Sequence, residues 1–177
     1  MSLLKVVKVD EAQGIVKEIY KEIKESFGSV PNALQLWSVS PYALQEQWNS
    51  IKVIMKMDAD SQKLHTIMRF LIAERDDCEY CIGFNNGMLI HRFGFSIEDV
   101  QKIKENPSVS PLEEKNVALL VFALETVNNP HSDKTNDIVK LEEFGFSQKE
   151  IFDIVQSAAH MRVITTLFDT FKVKIDF

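Results

Sequence analysis

The chain has 177 residues, of which 45% are hydrophobic and 26% charged, a composition typical of a globular protein rather than a disordered or fibrous one. Its 20 basic and 26 acidic residues give a net charge of -6, which argues against a nucleic-acid partner because a phosphate backbone attracts a basic surface. No apolar run approaches the roughly 18–20 residues of a membrane span, and the first residues do not resemble a signal peptide. We therefore expect a cytoplasmic protein with no membrane partner.

The sequence is predicted to be helical throughout, because apolar residues recur at spacings of three and four and no convincing alternating strand pattern is present. Near the N-terminus, Ile15, Ile19, Ile23 and Phe27 form one apolar stripe, and Gly28 stands where that helix would end. Further helices are predicted in VPNALQLW, SPYALQEQWNSIKVIMKM, DSQKLHTIMRFLIAER, SPLEEKNVALLVFALETV and SQKEIFDIVQSAAHMRVITTLFDTF. We predict an all-α protein with eight or nine helices.

A short motif occurs twice, as FGFSIEDV at residues 93–100 and as FGFSQKEI at residues 144–151. In each copy the glycine suits the left-handed position after a helix, and the serine opens the next helix in a capping box. The predicted capping pairs are Ser96 with Asp99 and Ser147 with Glu150. The pattern fits a repeat and ordinary punctuation between helices equally well. The second copy has no cysteines at the matching distance, so it does not indicate a second site.

Both cysteines stand in one segment, DDCEYCIGFNNGMLIHRFG, as Cys78 and Cys81. Asp76 or Asp77 is a candidate N-cap, and Glu79 lies three residues after Asp76, which is the capping-box spacing. A helix that begins there would hold Cys78 in its first turn and Cys81 in the turn above. The free N–H groups of a helix N-terminus stabilise a thiolate, so this position favours reactive cysteines.

Three interpretations of the cysteine pair are open: a redox dithiol, an inert pair in the core, and a metal site. A structural disulfide is a poor explanation because so small a loop removes little chain entropy. Metal is disfavoured because no second C-x-x-C follows and the four histidines are scattered. The redox dithiol is favoured. The acidic residues at positions 74, 76, 77 and 79 oppose a thiolate, and Arg75 is the only basic residue close by in sequence.

The segment DCEYCIGFNNGMLIHRFGFS resembles the core motif of the carboxymuconolactone decarboxylase and alkylhydroperoxidase D superfamily, in which Cys-x-Tyr-Cys stands at a helix N-terminus. The flanks GSVPNALQLWSVSPYAL, DSQKLHTIMRFLIAERDDC and FSQKEIFDIVQSAAHMRVITTLFDTFKVKI are similar to its entry region, its helix before the dithiol and the closing helix of its peroxidase-related branch. The resemblance implies an alkylhydroperoxidase D-like helical bundle. It would form one domain over residues 1–177, with an amphipathic helix in 1–27 and the family-like core in 28–175.

The resemblance also implies a chemistry, since in that family the dithiol reduces peroxides. Cys81 would be the attacking thiolate, Cys78 would close the disulfide, and a partner dithiol protein would reduce it again. The family's histidine and glutamate proton relay would fall at Asn85 and Thr66. Asn85 shares a helix face with Cys81, but an asparagine only orients or hydrogen-bonds, and a threonine hydroxyl is no general base. No cofactor or metal is implied.

Other residues are candidates to support the thiols in place of the missing relay. Glu74 lies four residues before Cys78, and His160, in the apolar segment SAAHMRV, either lines the pocket or is a hydrogen-bonded core residue. His65 adjoins the relay position of Thr66 but is expected to point away, at the surface.

Two functions of different classes follow from the sequence. The first is a thiol–disulfide oxidoreductase that reduces peroxides, and the second is a relay-less family member that acts as a redox sensor or an oligomeric binding scaffold. Decarboxylation is disfavoured because that branch resembles the chain less around the dithiol. Relatives form oligomers, and the amphipathic first helix is a plausible contact surface, so we expect a homo-oligomer.

Overall fold

The computed structural model describes residues 2–177, and within them it contains nine α-helices and no β-strand. The helices are α1 (Gly14–Phe27), α2 (Asn32–Trp37), α3 (Pro41–Met55), α4 (Ala59–Arg75), α5 (Glu79–Gly87), α6 (Ile97–Glu105), α7 (Glu114–Asn128), α8 (Thr135–Glu143) and α9 (Gln148–Thr170). A π-helix, Met88–Arg92, follows α5, and a single 3-10 turn, Pro107–Val109, follows α6. The predicted all-α class is confirmed. No helix of this part of the chain combines the length and the apolarity that a membrane crossing requires.

The chain divides into two compact units. The terminal unit comprises the residues up to Met57 together with Leu167–Phe177, and the central unit comprises Asp58–Thr166. Helices α1 to α3 belong to the terminal unit, whereas α4 to α8 and most of α9 belong to the central unit. That the whole chain folds as a single domain stays a prediction.

The terminal unit is built on an apolar cluster supplied mainly by α1 and α3. Val16, Ile19, Tyr20 and Ile23 are the buried residues of α1, and Trp48 is the largest buried side chain of α3. The sequence placed the apolar stripe slightly differently, since Ile15 is 41% exposed and Phe27 43% exposed. The helix begins at Gly14, and the backbone from residue 2 to residue 13 is not helical. Gly28 ends it in the left-handed conformation, as predicted.

The two ends of the described chain add hydrogen bonds to the terminal unit. The Leu3 N–H donates to the Phe171 carbonyl at 2.9 Å, and the Asn32 N–H donates to the Asp176 carboxylate at 2.6 Å. The Asn32 side chain also donates to the Lys174 carbonyl at 3.0 Å. These bonds hold the segment that follows α9 within the terminal unit.

The central unit is organised around α4, which packs against α5 and α7. Asp58 caps its N-terminus by accepting bonds from two backbone N–H groups. The face predicted from its apolar spacing is buried in full, with Leu64, Ile67, Met68, Leu71 and Ile72 all inside. Further residues of α4 are buried as well, namely His65, Thr66, Phe70 and Ala73. A helix enclosed on most of its sides is therefore the frame that positions the cysteine segment.

Both copies of the repeated motif perform the predicted architectural role. Ser96 and Asp99 form a reciprocal capping box at the start of α6. At the start of α9, the Ser147 N–H donates to Glu150 at 2.8 Å, and the Glu150 N–H donates back to the Ser147 hydroxyl at 3.3 Å. The preceding glycines, Gly94 and Gly145, are left-handed with φ of 73° and 91°.

Candidate redox site

The junction between α4 and α5 places the first cysteine at a helix entry. Asp76 ends α4, and Asp77 turns the chain with a left-handed φ of 56°. The Cys78 N–H then donates to the Ala73 carbonyl at 3.1 Å, and Cys78 is the N-cap residue of α5. The predicted aspartate N-cap is therefore wrong, because Asp76 belongs to the end of the preceding helix. Cys81 lies in the first turn of α5 rather than in its second.

The two thiols are adjacent and buried. Their sulfur atoms lie 2.7 Å apart, with the Cys78 thiol donating towards the sulfur of Cys81, and no disulfide bond joins them. Cys78 is 0% exposed and Cys81 is 3% exposed. Because both stand at the N-terminus of α5, the helix directs partial positive charge towards them, which favours a thiolate.

The two positions of the absent proton relay are occupied by side chains that bond to their own helices. Asn85 is buried, and its amide donates to the Cys81 carbonyl at 2.8 Å. Thr66 is buried as well, and its hydroxyl donates to the Gln62 carbonyl at 2.8 Å. Asn85 thus contacts the backbone of the dithiol helix, and neither group supplies an acid or a base there.

The acidic residues near the cysteines are partly neutralised by ion pairs. Glu74 pairs with Lys104 of α6 at 2.5 Å. Asp76 accepts a hydrogen bond from Thr165 at 2.7 Å and pairs with Arg162 at 3.3 Å, both from α9. The local acidity that the sequence sets against a thiolate is therefore smaller in the fold. Glu74, one of the predicted supporting residues, has a lysine as its partner.

Two histidines lie in the central unit close to a shared cation. His65 is buried rather than at the surface, so that expectation is wrong, and its ring Nδ1 lies 3.2 Å from the hydroxyl of Ser157 on α9. Burial, followed by the charge of Arg69, lowers the pKa of His65 to about 4, while Asp153 opposes that shift. His160, also on α9 and half-buried, has its pKa lowered by burial and by the same arginine. Both imidazoles are consequently neutral near pH 7.

Arg69 is the residue of this site that sequence reasoning missed. Its pKa is lowered by burial, and the charge of Cys81 acts in the opposite direction. The side chain retains some exposure, yet its Nε is buried and has no hydrogen-bond partner among residues 2–177. The available signal was a single arginine inside the apolar run TIMRFLIA, one helical turn after His65. The basic residue that the sequence indicated near the cysteines was Arg75, which is close to them along the chain but is exposed in the structure.

Comparison with known proteins identifies the fold as the all-α architecture of an alkylhydroperoxidase D core. No family model matches the sequence, and no curated protein matches it either. Among solved structures, an uncharacterized peroxidase-related protein from Ralstonia eutropha, whose crystal structure is that of an alkylhydroperoxidase AhpD core, superposes with a TM-score of 0.81. The match covers 99% of this chain and 92% of that chain at 16% identity, so it establishes the fold alone. The fold expected from the sequence resemblance is confirmed.

Proposed function

We propose that the protein is a thiol–disulfide oxidoreductase that reduces peroxides through Cys81 and Cys78. The observation that carries this proposal is the pair of reduced thiols, 2.7 Å apart at the N-terminus of α5, in a fold shared with a peroxidase-related protein. Two sulfurs held this close form an intramolecular disulfide without the entropy cost of bringing two groups together. Their place at a helix N-terminus supports the thiolate form, which is the nucleophile.

The reaction requires one oxidant and two thiols. The Cys81 thiolate attacks one oxygen of a hydroperoxide, the O–O bond breaks, and the products are a Cys81 sulfenic acid and an alkoxide that takes up a proton to become an alcohol. The sulfur of Cys78 then attacks the sulfur of Cys81, and the hydroxyl group leaves with the Cys78 proton as water. A partner dithiol protein returns two electrons by thiol–disulfide exchange and is itself oxidised.

Proton transfer in this proposal relies on groups other than the family relay. His160 is the candidate acceptor, because Arg69 acts electrostatically on both His160 and Cys81. A histidine with a lowered pKa is neutral near pH 7, so its ring nitrogen can take up the thiol proton transiently and pass it to the alkoxide. Asn85 would keep the backbone of the dithiol helix in place through its bond to the Cys81 carbonyl.

A second candidate function, a redox sensor or binding scaffold, is favoured by the burial of both sulfurs. Cys78 and Cys81 are 0% and 3% exposed, so an oxidant reaches them only after a local opening. A sensor needs one slow oxidation, whereas a peroxidase needs repeated access and a reductant. Turnover therefore distinguishes the two functions.

The proposal also includes a cellular location and an oligomeric state. We place the protein in the cytoplasm, where thiols are kept reduced and a cysteine pair is more often catalytic than structural. We also propose a homo-oligomer. The apolar face of α1 packs within the terminal unit, so the apolar side chains of α1 that remain exposed for such a contact are Ile15 and Phe27.

The test uses the wild-type chain, Cys78→Ser and Cys81→Ser with cumene hydroperoxide and a small dithiol reductant. We expect the wild type to consume peroxide repeatedly and to lose both free thiols when the reductant is omitted. Cys78→Ser should stop at a sulfenic acid on Cys81 that dimedone traps, and Cys81→Ser should not react. Mass spectrometry of alkylated protein measures these states, and with only two cysteines in the chain every thiol signal belongs to the site.

Two results would contradict the peroxidase. One slow oxidation without turnover would support the sensor instead. Thiols that stay free under excess peroxide in the folded protein, yet react after denaturation, would identify the pair as inert core residues.

A further inference from the structure

Arg69 lies on the face of α4 that contacts the dithiol helix. Ala73 is one helical turn after Arg69, and its carbonyl accepts the bond from the Cys78 N–H at 3.1 Å. His65 is one turn before Arg69 and meets Ser157 of α9 at 3.2 Å. The row formed by His65, Arg69 and Ala73 therefore runs from α9 to the N-terminus of α5, with Arg69 in its middle.

The charge of Arg69 has no permanent counterion in this position. Its Nε is buried and unpartnered within residues 2–177, and a guanidinium does not lose its proton in proteins. A guanidinium that is partly removed from water and has no ion-pair partner is unfavourable, and a nearby anion reduces that penalty. An anion beside Arg69 would therefore be stabilised.

The carboxylates of the central unit nearest in sequence or space are bonded elsewhere. Glu74 pairs with Lys104, Asp76 pairs with Arg162, and Asp153 pairs with Lys149. His65 and His160 are neutral near pH 7, so they do not compensate a cation. The group whose negative charge acts on Arg69 is the sulfur of Cys81, which lies on the helix that α4 packs against.

Other charged groups on the elements packed around the dithiol are at the surface, where water screens them. Those on α5, the preceding turn and the π-helix are Glu79, Asp77, His91 and Arg92, and those on α7 are Glu114, Lys115 and Glu125; all are exposed. On α4 itself, Asp60 and Arg75 are exposed, and Lys63 pairs with Asp60 at 3.0 Å.

We propose that Arg69 is the positioning residue that holds Cys81 as a thiolate, in place of the proton relay that Asn85 and Thr66 do not provide. A thiol that is already ionised needs no general base for its attack. The loss of a histidine and a glutamate is then tolerable at the first step. The biological meaning of this inference rests on the proposed function, but the ionisation state of Cys81 is measured without any peroxide.

The experiment uses the full chain with Cys78→Ser, so that Cys81 is the only thiol. Ultraviolet absorbance of the thiolate is titrated against pH, and the rate of alkylation by iodoacetamide is measured near pH 7. The variants added to this background are Arg69→Met, Arg69→Gln and Arg69→Lys, with Arg75→Met as the matched control. Arg75 is on the same helix and nearer to Cys78 in sequence, but it is exposed.

We expect both neutral variants at Arg69 to move thiolate formation to higher pH and to slow alkylation at least about tenfold, the effect of removing one close opposite charge. Arg69→Lys should restore most of the rate, since it keeps the charge. Arg75→Met should stay within about twofold of the parent. Far-UV circular dichroism checks that each variant is folded.

An ordinary, unshifted thiol titration in the parent protein would overturn the proposal without any reference to the variants. Equal titrations in the parent and in either neutral variant would overturn it as well. A shifted thiolate that depends on Arg69, in a protein without peroxide turnover, would retain Arg69 in this role and remove only the peroxidase function.

Discussion

The terminal and central units differ in the ionisable groups that they bury. In the terminal unit, Trp48 and Tyr20 bond their polar atoms at the edge of the apolar cluster. The Trp48 indole donates to Glu22 at 2.7 Å, and the Tyr20 hydroxyl donates to the Val7 carbonyl at 2.9 Å. In the central unit, α4 buries His65 among its apolar residues and leaves Arg69 partly exposed, with a buried Arg69 Nε that has no hydrogen-bond partner within residues 2–177.

The terminal unit has the features of a region that mainly contributes stability, whereas the central unit holds the proposed redox site. Satisfied polar groups around an apolar cluster add stability without altering the ionisation of their surroundings. A partly buried cation costs stability, and a buried histidine does so once it is protonated; groups of this kind are typical of sites where the ionisation of a neighbour is tuned. The comparison predicts that substitutions in the terminal unit act mainly on packing, whereas those in the central unit act on pH dependence.

The largest effect is expected at Trp48, which is 2% exposed and packs edge-on against Phe27 with ring centroids 5.9 Å apart. Trp48→Ala should lower the free energy of unfolding by about 3–5 kcal/mol, because it leaves a cavity that the cluster fills only in part. Urea unfolding followed by circular dichroism measures this. Trp48→Phe is the control: it keeps an aromatic ring but loses the bond to Glu22, and it should cost clearly less. Equal losses in both variants would show that the hydrogen bond, not packing, dominates the terminal unit.

A smaller effect is expected at His65, where it appears as a slope of the unfolding free energy against pH. Its pKa of about 4 in the folded protein lies below the ordinary 6.5, so the unfolded chain binds more protons between these values. The stability due to neutral His65 is fully present above about pH 6.5 and is lost as the pH falls towards 4, on the order of 3 kcal/mol in all. His65→Gln should flatten the dependence of the unfolding free energy on pH across this window.

The control for the pH experiment is His131→Gln, since His131 is exposed and should leave the slope unchanged. His160 shifts in the same direction as His65 and is present in both variants, so some slope should remain. A His65→Gln protein with the slope of the wild type would contradict the view that the central unit buries a neutral histidine.

The smallest effect is expected at the surface ion pair of the terminal unit, Lys52 with Glu22 at 3.0 Å. The two side chains are 38% and 51% exposed, so the pair is screened by water and ions. Lys52→Met should cost about 0.2–1 kcal/mol at low salt and almost nothing at about 1 M salt. Lys21→Met, which removes a looser pair with Glu25 at 3.9 Å, is the matched control and should cost less. A cost above about 2 kcal/mol at Lys52 would mean that charge, not packing, stabilises this unit.

Much of the fold could be predicted because its signals are local. The spacing of apolar residues identified the buried face of α4, and the pairs Ser96–Asp99 and Ser147–Glu150 marked two helix starts that the structure confirms. Caps and helical periodicity depend on residues three or four apart, so one sequence suffices to find them. The stripe of α1 was placed with less accuracy, because which side of a helix is buried depends on its partners.

The composition of the site was only partly visible in the sequence. The closeness of Cys78 and Cys81 follows from their spacing and was predicted, whereas the cap at Asp76 was wrong because its partners, Arg162 and Thr165, lie far along the chain. Whether His65 is buried and where Arg69 places its charge were decided only in the tertiary structure. Both depend on α9 and α5 packing against α4, and the free energy of a buried charge depends on every neighbour in space, which residue spacing does not encode.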